Sequence, residues 1–254
     1  MDITANTPAP RDVEVFPGRR IAWGPKDVLA GILWFIGLFV VMPIPFGLAL
    51  FYGFGDGSNG YFAGSLVLSM AAEAGIVLVA ATYSFRKYGG SWDRLGFTEV
   101  NWRVAGWGAA AFAGALAFSF AYGALIQVFD VEALKSKCDD QLPKEILNNK
   151  GLIALAGVTI IGFAPLCEET FFRGFTFPGI ASRWGVAAGI IASAFLFSAA
   201  HISLNLHKTF VPIFGIGLIF AFCYWRSGSL VSTILAHLAF NTISFTAIAA
   251  SSCK

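Results

Sequence analysis

Long uncharged apolar runs recur along this chain and constrain its fold more than any other feature. An apolar run of about 18 residues can cross about 30 Å of hydrocarbon as an α-helix. With 57% hydrophobic and only 13% charged residues, the composition excludes an ordinary soluble domain. We therefore expect an all-α polytopic transmembrane helical bundle that encloses a polar intramembrane cavity. Seven spans are predicted, at about 28–54, 61–85, 104–129, 151–181, 184–205, 210–226 and 229–250.

Two of these spans are irregular. The fourth is too long for one straight crossing, so it should be tilted, broken or partly interfacial. Pro43 and Pro45 would give an eighth element if they broke the first span, because proline removes a helical hydrogen bond. The chain is otherwise one unit: residues 1–27 are predicted to be a cytoplasmic N-terminal segment, and residues 28–254 a transmembrane helical domain.

The placement of lysine and arginine predicts the orientation of the bundle. Seven spans put ten of these residues on the side of the N-terminus and six on the opposite side. The bias predicts an integral membrane protein with a cytoplasmic N-terminus, in the inner or plasma membrane if the host is bacterial. The first span is expected to be an uncleaved anchor in the lipid bilayer. The net charge of +2, without a basic cluster, gives no reason to expect nucleic acid.

Three charged residues, Glu168, Glu169 and Arg173, lie in the fourth span after an uncharged run from 151 to 167. An ionisable residue near a bilayer centre costs roughly 2.5–3.5 kcal/mol, so such residues are usually functional. Glu169 and Arg173 are four residues apart and can form an ion pair on one helical face. Glu168 points about 100° away, and an unpaired carboxyl at this depth suits a general base. The alternative is a structural charge cluster.

The fifth span carries a row of residues spaced by four, and its small members allow close helix packing. The row therefore turns its last member, His201, into the bundle: Gly185, Gly189, Ser193, Phe197, His201. The seventh span carries a polar row with the same spacing, which must face protein or a watery cavity: Ser229, Thr233, His237, Asn241. With ~1.5 Å of helix rise per residue, Glu168, His201, His237 and Asn241 can meet in the inner half of the membrane.

These residues resemble the CPBP family of intramembrane proteases, which includes the CAAX prenyl endopeptidases and the Abi-type bacterial proteins. The family pattern is EExxxR, FxxxH, and HxxxN or HxxxD, in that order. Here it is present as Glu168-Glu169-x-x-x-Arg173, Phe197-x-x-x-His201 and His237-x-x-x-Asn241. The resemblance covers about residues 150–245, and residues 1–130 share only the hydrophobic character.

The resemblance implies a bundle with a cavity open toward the cytoplasm and hydrolysis of peptide bonds within it. Glu168 and His201 would activate water, and His237 and Asn241 would donate hydrogen bonds to the developing oxyanion. Glu169 and Arg173 would hold the helix and orient Glu168. The substrate would be a membrane-associated or lipidated protein or peptide. No cofactor is favoured; if the enzyme used zinc, Glu168, His201 and His237 would be the ligands.

Two other functions remain open from the sequence. A catalytically idle scaffold or immunity-type protein could share the same fold, although the chain retains each motif residue. A proton-coupled transporter would recruit Glu73 in the second span and Gln127 in the third, but we find no internal repeat of the kind many transporters have.

The four cysteines have no metal-binding spacing. Cys167 and Cys223 fall within spans and are predicted to be small core residues. Cys138 and Cys253 both fall on the predicted outer side, where they could form a disulfide if that side is oxidising. The alternative is two free thiols that never meet.

Overall fold

The computed structural model describes residues 13–134, 142–201 and 206–250. Cys138 and Cys253 lie outside these residues, so their pairing stays a prediction. Helices account for most of the described residues: α1 (Pro25–Ile36), α2 (Pro43–Phe54), α3 (Asn59–Ala81), α4 (Trp102–Val128), α5 (Lys144–Asn148), α6 (Lys150–Gly157), α7 (Ala164–Glu169), α8 (Phe177–Ala200), α9 (Leu206–Ser227) and α10 (Leu230–Ala250). Short 3₁₀ turns occupy Trp92–Leu95 and Glu132–Leu134.

Several helices continue into one another through π-helical turns, at Gly37–Val41, Thr82–Arg86, Val158–Phe163 and Thr170–Thr176. Three of these four turns end two residues before a proline, namely Pro43, Pro165 and Pro178. Proline lacks a backbone donor and its ring crowds the preceding turn, and a locally widened helix accommodates both effects. Pro43 and Pro45 therefore do not break the first span, which runs continuously over Pro25–Phe54.

Six helical stretches of the described chain are long and apolar enough to span a membrane: Pro25–Phe54, Asn59–Arg86, Trp102–Val128, Lys150–Ala200, Lys208–Ser227 and Leu230–Ala250. The fourth has 51 residues, or about 76 Å of helix, more than twice the hydrocarbon thickness. The protein is therefore an all-α polytopic membrane protein, as predicted.

The 51-residue stretch is a helical hairpin that turns at Gly185, where φ is +84° and ψ is +166°. Beyond the turn, the Ser193 hydroxyl donates to the Phe172 carbonyl at 2.9 Å, and the Phe197 ring lies 5.4 Å from the Phe172 ring. A Cβ on Gly189 would lie 2.9 Å from the Phe177 carbonyl oxygen, so the two arms pack closely. The sequence analysis predicted two spans here, at 151–181 and 184–205, which is why it predicted seven spans where six apolar helical stretches are described.

The N-terminal segment contains a β-hairpin that the sequence analysis did not predict. Strands β1 (Val13–Phe16) and β2 (Arg19–Ile21) pair antiparallel with a bulge, and the chain then enters α1. Phe16, Ile21 and Trp23 are almost fully buried against one end of the bundle. The Trp23 indole donates to the Phe175 carbonyl at 2.8 Å, which ties the hairpin to the span that carries the two glutamates.

The same end of the bundle is closed by contacts around Gly96, whose φ is +103°. The Gly96 carbonyl accepts from the Leu230 amide at 2.7 Å. Tyr224 is fully buried and donates to the Leu95 carbonyl at 3.0 Å, while Arg19 donates to the Tyr224 hydroxyl at 2.8 Å. A Cβ on Gly96 would lie 2.7 Å from this hydroxyl and 2.8 Å from Nη1 of Arg19.

We predict that Gly96→Ala destabilises the protein more than Gly89→Ala does. Both glycines have positive φ, but a Cβ on Gly89 would meet nothing within 4 Å. The difference should be at least about 1 kcal/mol, because Tyr224 and Arg19 would have to leave their hydrogen bonds. Thermal unfolding in detergent measures it, and equal melting temperatures for the two variants would contradict the close approach.

Candidate active site

Helix α7 places the two adjacent glutamates between two π-helical turns. Glu169 is fully buried, whereas the Glu168 side chain keeps 13% of its surface exposed. The turn that follows Glu169 is held by the Thr170 hydroxyl, which donates to the Leu166 carbonyl at 2.7 Å. π-Helical turns inside α-helices are frequent at functional sites. The two carboxyl groups therefore leave one helix in different directions and enter different surroundings.

Arg173 forms the ion pair that the i,i+4 spacing predicts. Its Nη1 lies 2.9 Å from Oε1 of Glu169, and both side chains are fully buried. Its Nη2 donates to the Gly217 carbonyl at 3.3 Å. The guanidinium carbon lies 4.1 Å from the Phe197 ring centre and 5.7 Å from that of Phe220. The arginine is thus held by the ion pair, by a hydrogen bond to the Gly217 carbonyl and by cation–π contacts with two aromatic rings.

His237 connects the two glutamates. Its Nδ1 lies 3.1 Å from Oε1 of Glu169, and its Nε2 lies 3.8 Å from Oε2 of Glu168. A carboxylate paired with a guanidinium can only accept, so Nδ1 of His237 carries a proton and donates it to Glu169. The other ring nitrogen of His237, Nε2, is the one that faces Glu168. This bond between Glu169 and His237 was not predicted from the sequence.

His201 reaches Glu168 from the other arm of the helical hairpin. Its Nδ1 lies 2.8 Å from the Phe197 carbonyl, which can only accept, so Nδ1 of His201 also carries a proton. Its Nε2 lies 3.5 Å from Oε1 of Glu168. When the imidazoles are neutral, both Nε2 atoms and the carboxylate are acceptors. These separations exceed a direct hydrogen bond, so they suit a group that donates to both sides, such as water.

Asn241 completes the site from α10. Its Nδ2 donates to the Ile160 carbonyl at 2.8 Å, within the π-helical turn Val158–Phe163. The second hydrogen on Nδ2 remains for another acceptor. Glu168, His201, His237 and Asn241 all line one cavity of about 350 Å³, so the structure brings together the four side chains that the motifs single out. The apolar part of its wall comes from Ile160, Ala164, Phe197, Ile213, Ile216 and Phe240.

The polar rows of the sequence face protein, as expected from their spacing. Ser193, Ser229 and Thr233 are fully buried, and Phe197 is 3% exposed. The Phe197 ring lies 4.7 Å from the His201 ring and 5.8 Å from the His237 ring, centre to centre. The phenylalanine of the second motif therefore separates Arg173 from the two imidazoles.

The two residues that a transporter would recruit are in different surroundings. Glu73 is 5% exposed, and its Oε2 has no hydrogen-bond partner among the residues that the structure describes. It lies close enough to Glu168 for the two carboxyl groups to interact electrostatically. Gln127 is exposed near the end of α4 and is not among the residues that line the cavity.

The donor types for zinc are present, since two imidazoles and a carboxylate are a common catalytic set. However, no group of three His, Cys, Asp or Glu side chains in the described ranges is arranged to hold a metal ion. That no metal is favoured therefore stays a prediction.

Comparison with known proteins agrees with the three motifs. Residues 150–243 match the sequence profile of the family described as "Type II CAAX prenyl endopeptidase Rce1-like". The chain is also 36% identical over 93 residues to an Escherichia coli protein described as an "Uncharacterized 24.3 kDa protein". That alignment covers 36% of this chain and 43% of the relative, so the chain spans less than half of the relative's length. No solved structure matches the chain. Residues 150–243 are therefore similar to that family, over the same part of the chain that carries the three motifs.

Proposed function

We propose that this protein is an intramembrane endopeptidase that hydrolyses a peptide bond of a membrane-associated or lipidated protein or peptide. The observation that carries the proposal is the placement of Glu168 beside the Nε2 atoms of His201 and His237, at 3.5 and 3.8 Å, in one cavity. The similarity of residues 150–243 to the CAAX prenyl endopeptidase family supports the same kind of reaction.

Glu168 and His201 are the proposed activators of the attacking water. A water between them would donate one hydrogen to the carboxylate and one to Nε2 of His201, which leaves its oxygen lone pairs for the scissile carbonyl. As the water attacks, Glu168 takes its proton as general base and can later deliver it to the leaving amine. The Phe197 carbonyl holds His201 in the tautomer that this step needs.

His237 and Asn241 are the proposed donors to the oxyanion that develops on the scissile carbonyl. His237 already donates from Nδ1 to Glu169, so a second donation from Nε2 requires the imidazolium form. Asn241 would donate its second Nδ2 hydrogen. Each such donor, preorganised in a cavity, contributes about 2.7–4 kcal/mol to transition-state stabilisation.

The other two functions have less support. A catalytically idle scaffold would not need the imidazoles of two helices to converge on Glu168. A proton-coupled transporter would need a polar path through the bundle, and Gln127 is exposed near a helix end, away from the cavity. Glu73, buried near Glu168, is a feature that such a path could use.

We also propose that the N-terminus is cytoplasmic. The N-terminal hairpin, the loop before α4 and the turn between α9 and α10 meet at one end of the bundle. There Arg19 donates to the Gly228 carbonyl and Arg103 to the Arg226 carbonyl. Arginine-rich connections favour the cytoplasmic side.

We predict that Glu168→Gln lowers peptide hydrolysis by about 10²-fold or more while the protein stays folded and inserted. Glutamine keeps the size of the side chain but cannot take a proton from water. The measurement is turnover of a peptide library by purified protein in detergent, with wild type beside the variant. Turnover within tenfold of wild type would remove Glu168 from the role of base.

Glu169→Ala should act differently from Glu168→Gln. It leaves Arg173 buried without its counterion and His237 without its Nδ1 acceptor, so both stability and turnover should fall. Breaking a buried pair from one side costs about 3–5 kcal/mol, which thermal unfolding in detergent would show as a lower melting temperature. An unchanged melting temperature would contradict the ion-pair role.

Dialysis against a strong chelator is predicted to leave turnover unchanged, because the proposed steps use only protein side chains. Elemental analysis of the active protein should then find well below one zinc per chain. Stoichiometric zinc whose removal stops turnover, and whose return restores it, would replace the glutamate mechanism with a metal-dependent one.

A further inference from the structure

A second polar cavity, of about 360 Å³, lies at the end of the bundle that carries the N-terminal hairpin. Three arginines line it, Arg19, Arg103 and Arg226, together with the carboxylate of Glu99. Three positive charges minus one negative charge leave an excess of two. None of the motif residues lines this cavity, so it is distinct from the site around Glu168.

Arg19 is fixed in the cavity wall by the hairpin fold. Its Nη1 donates to the Gly228 carbonyl at 3.0 Å and its Nη2 to the Tyr224 hydroxyl at 2.8 Å. The guanidinium carbon lies 3.7 Å from the centre of the Phe16 ring. Nε of Arg19 is buried and has no hydrogen-bond partner within the described residues. The arginine is thus preorganised, and these hydrogen bonds use only two of its five N–H donors.

Arg226 and Arg103 also line the cavity, and both have N–H groups that make no hydrogen bond within the described residues. The Arg226 guanidinium carbon lies 5.3 Å from the Trp107 ring centre and 5.7 Å from that of Trp225. Such stacking holds the plane of a guanidinium and leaves its N–H edge available. Arg103 donates from Nη2 to the Arg226 carbonyl at 2.8 Å, and this bond does not use its Nη1.

Within the described residues, Arg226 makes no side-chain hydrogen bond or ion pair, and Glu99 makes no ion pair with any of the three arginines. The cavity therefore presents N–H donors from three guanidinium groups, and Glu99, the carboxylate that lines it, is paired with none of them. Preorganised guanidinium groups match the geometry of phosphate oxygens, to which they donate in pairs.

We propose that this cavity binds a phosphate-bearing anion, either the headgroup of an anionic phospholipid or a free phosphate. Tryptophans near the rim fit the level of lipid headgroups, where amphipathic rings are enriched. Trp102, at the start of α4, is 88% exposed, and Trp107 lies one and a half turns further along the same helix. Lys/Arg clusters at such positions attract anionic lipids.

The test uses the purified full chain in detergent with three probes: phosphatidylglycerol, phosphatidylcholine and inorganic phosphate. Melting temperature and bound-lipid counts by native mass spectrometry are measured for wild type, Arg226→Gln, Arg103→Gln and the control Arg183→Gln. Arg183 is exposed in the hairpin turn and does not line the cavity. Phosphatidylglycerol should stabilise wild type and Arg183→Gln more than phosphatidylcholine does. Its affinity should fall about tenfold in each cavity variant, as expected for one lost charged hydrogen bond.

The probes separate the two sources of the anion. Stabilisation by inorganic phosphate that is lost in the same two variants would identify a site for the free anion, whereas stabilisation by phosphatidylglycerol alone would identify a lipid site. Arg103→Gln removes one hydrogen bond at the surface, so it keeps the test open if Arg226→Gln folds poorly. If no probe stabilises wild type, or if Arg183→Gln weakens binding as much as the cavity variants do, the proposal is overturned.

Discussion

The buried ion pair between Glu169 and Arg173 is the interaction on which the rest of the site depends. Two fully buried charges are tolerated only because they lie 2.9 Å apart and their remaining bonds reach other helices. Arg173 donates to the carbonyl of Gly217 on α9 and lies against the Phe197 ring on α8. Glu169 accepts from His237 on α10. One pair on the fourth span thus contacts three other helices.

The ion pair also gives the two adjacent glutamates different roles. Glu169 is committed to Arg173 and His237, so its carboxylate cannot serve a substrate. Glu168, one residue earlier, faces the cavity beside two imidazole nitrogens whose tautomers are fixed by their other contacts. A helix rotates about 100° per residue, and that rotation alone separates the structural carboxylate from the proposed catalytic one. The proposed protease activity follows from this separation together with the family match of residues 150–243.

Much of the fold and the site could be predicted from the sequence, because both are determined by local patterns. Apolar run length identifies the passes, and residues four apart place His201, His237 and Asn241 on inward faces. Other features depend on tertiary contacts that no local pattern reveals. The N-terminal β-hairpin has strands of four and three residues, and its stability comes from burial against the bundle. The bond between Glu169 and His237 joins residues 68 positions apart. The π-helical turns could have been suspected at the prolines that follow three of them.

A double variant of the ion pair tests this account most directly. Glu169→Leu and Arg173→Leu each leave a buried charge unpaired, whereas the double variant leaves none. The melting temperature of the double variant in detergent should therefore recover toward that of wild type, above both single variants. Peptide turnover should not recover, because His237 would still lack the acceptor that orients its imidazole through Nδ1. A double variant that regains wild-type turnover together with its stability would contradict the claim that the ion pair organises the catalytic histidine.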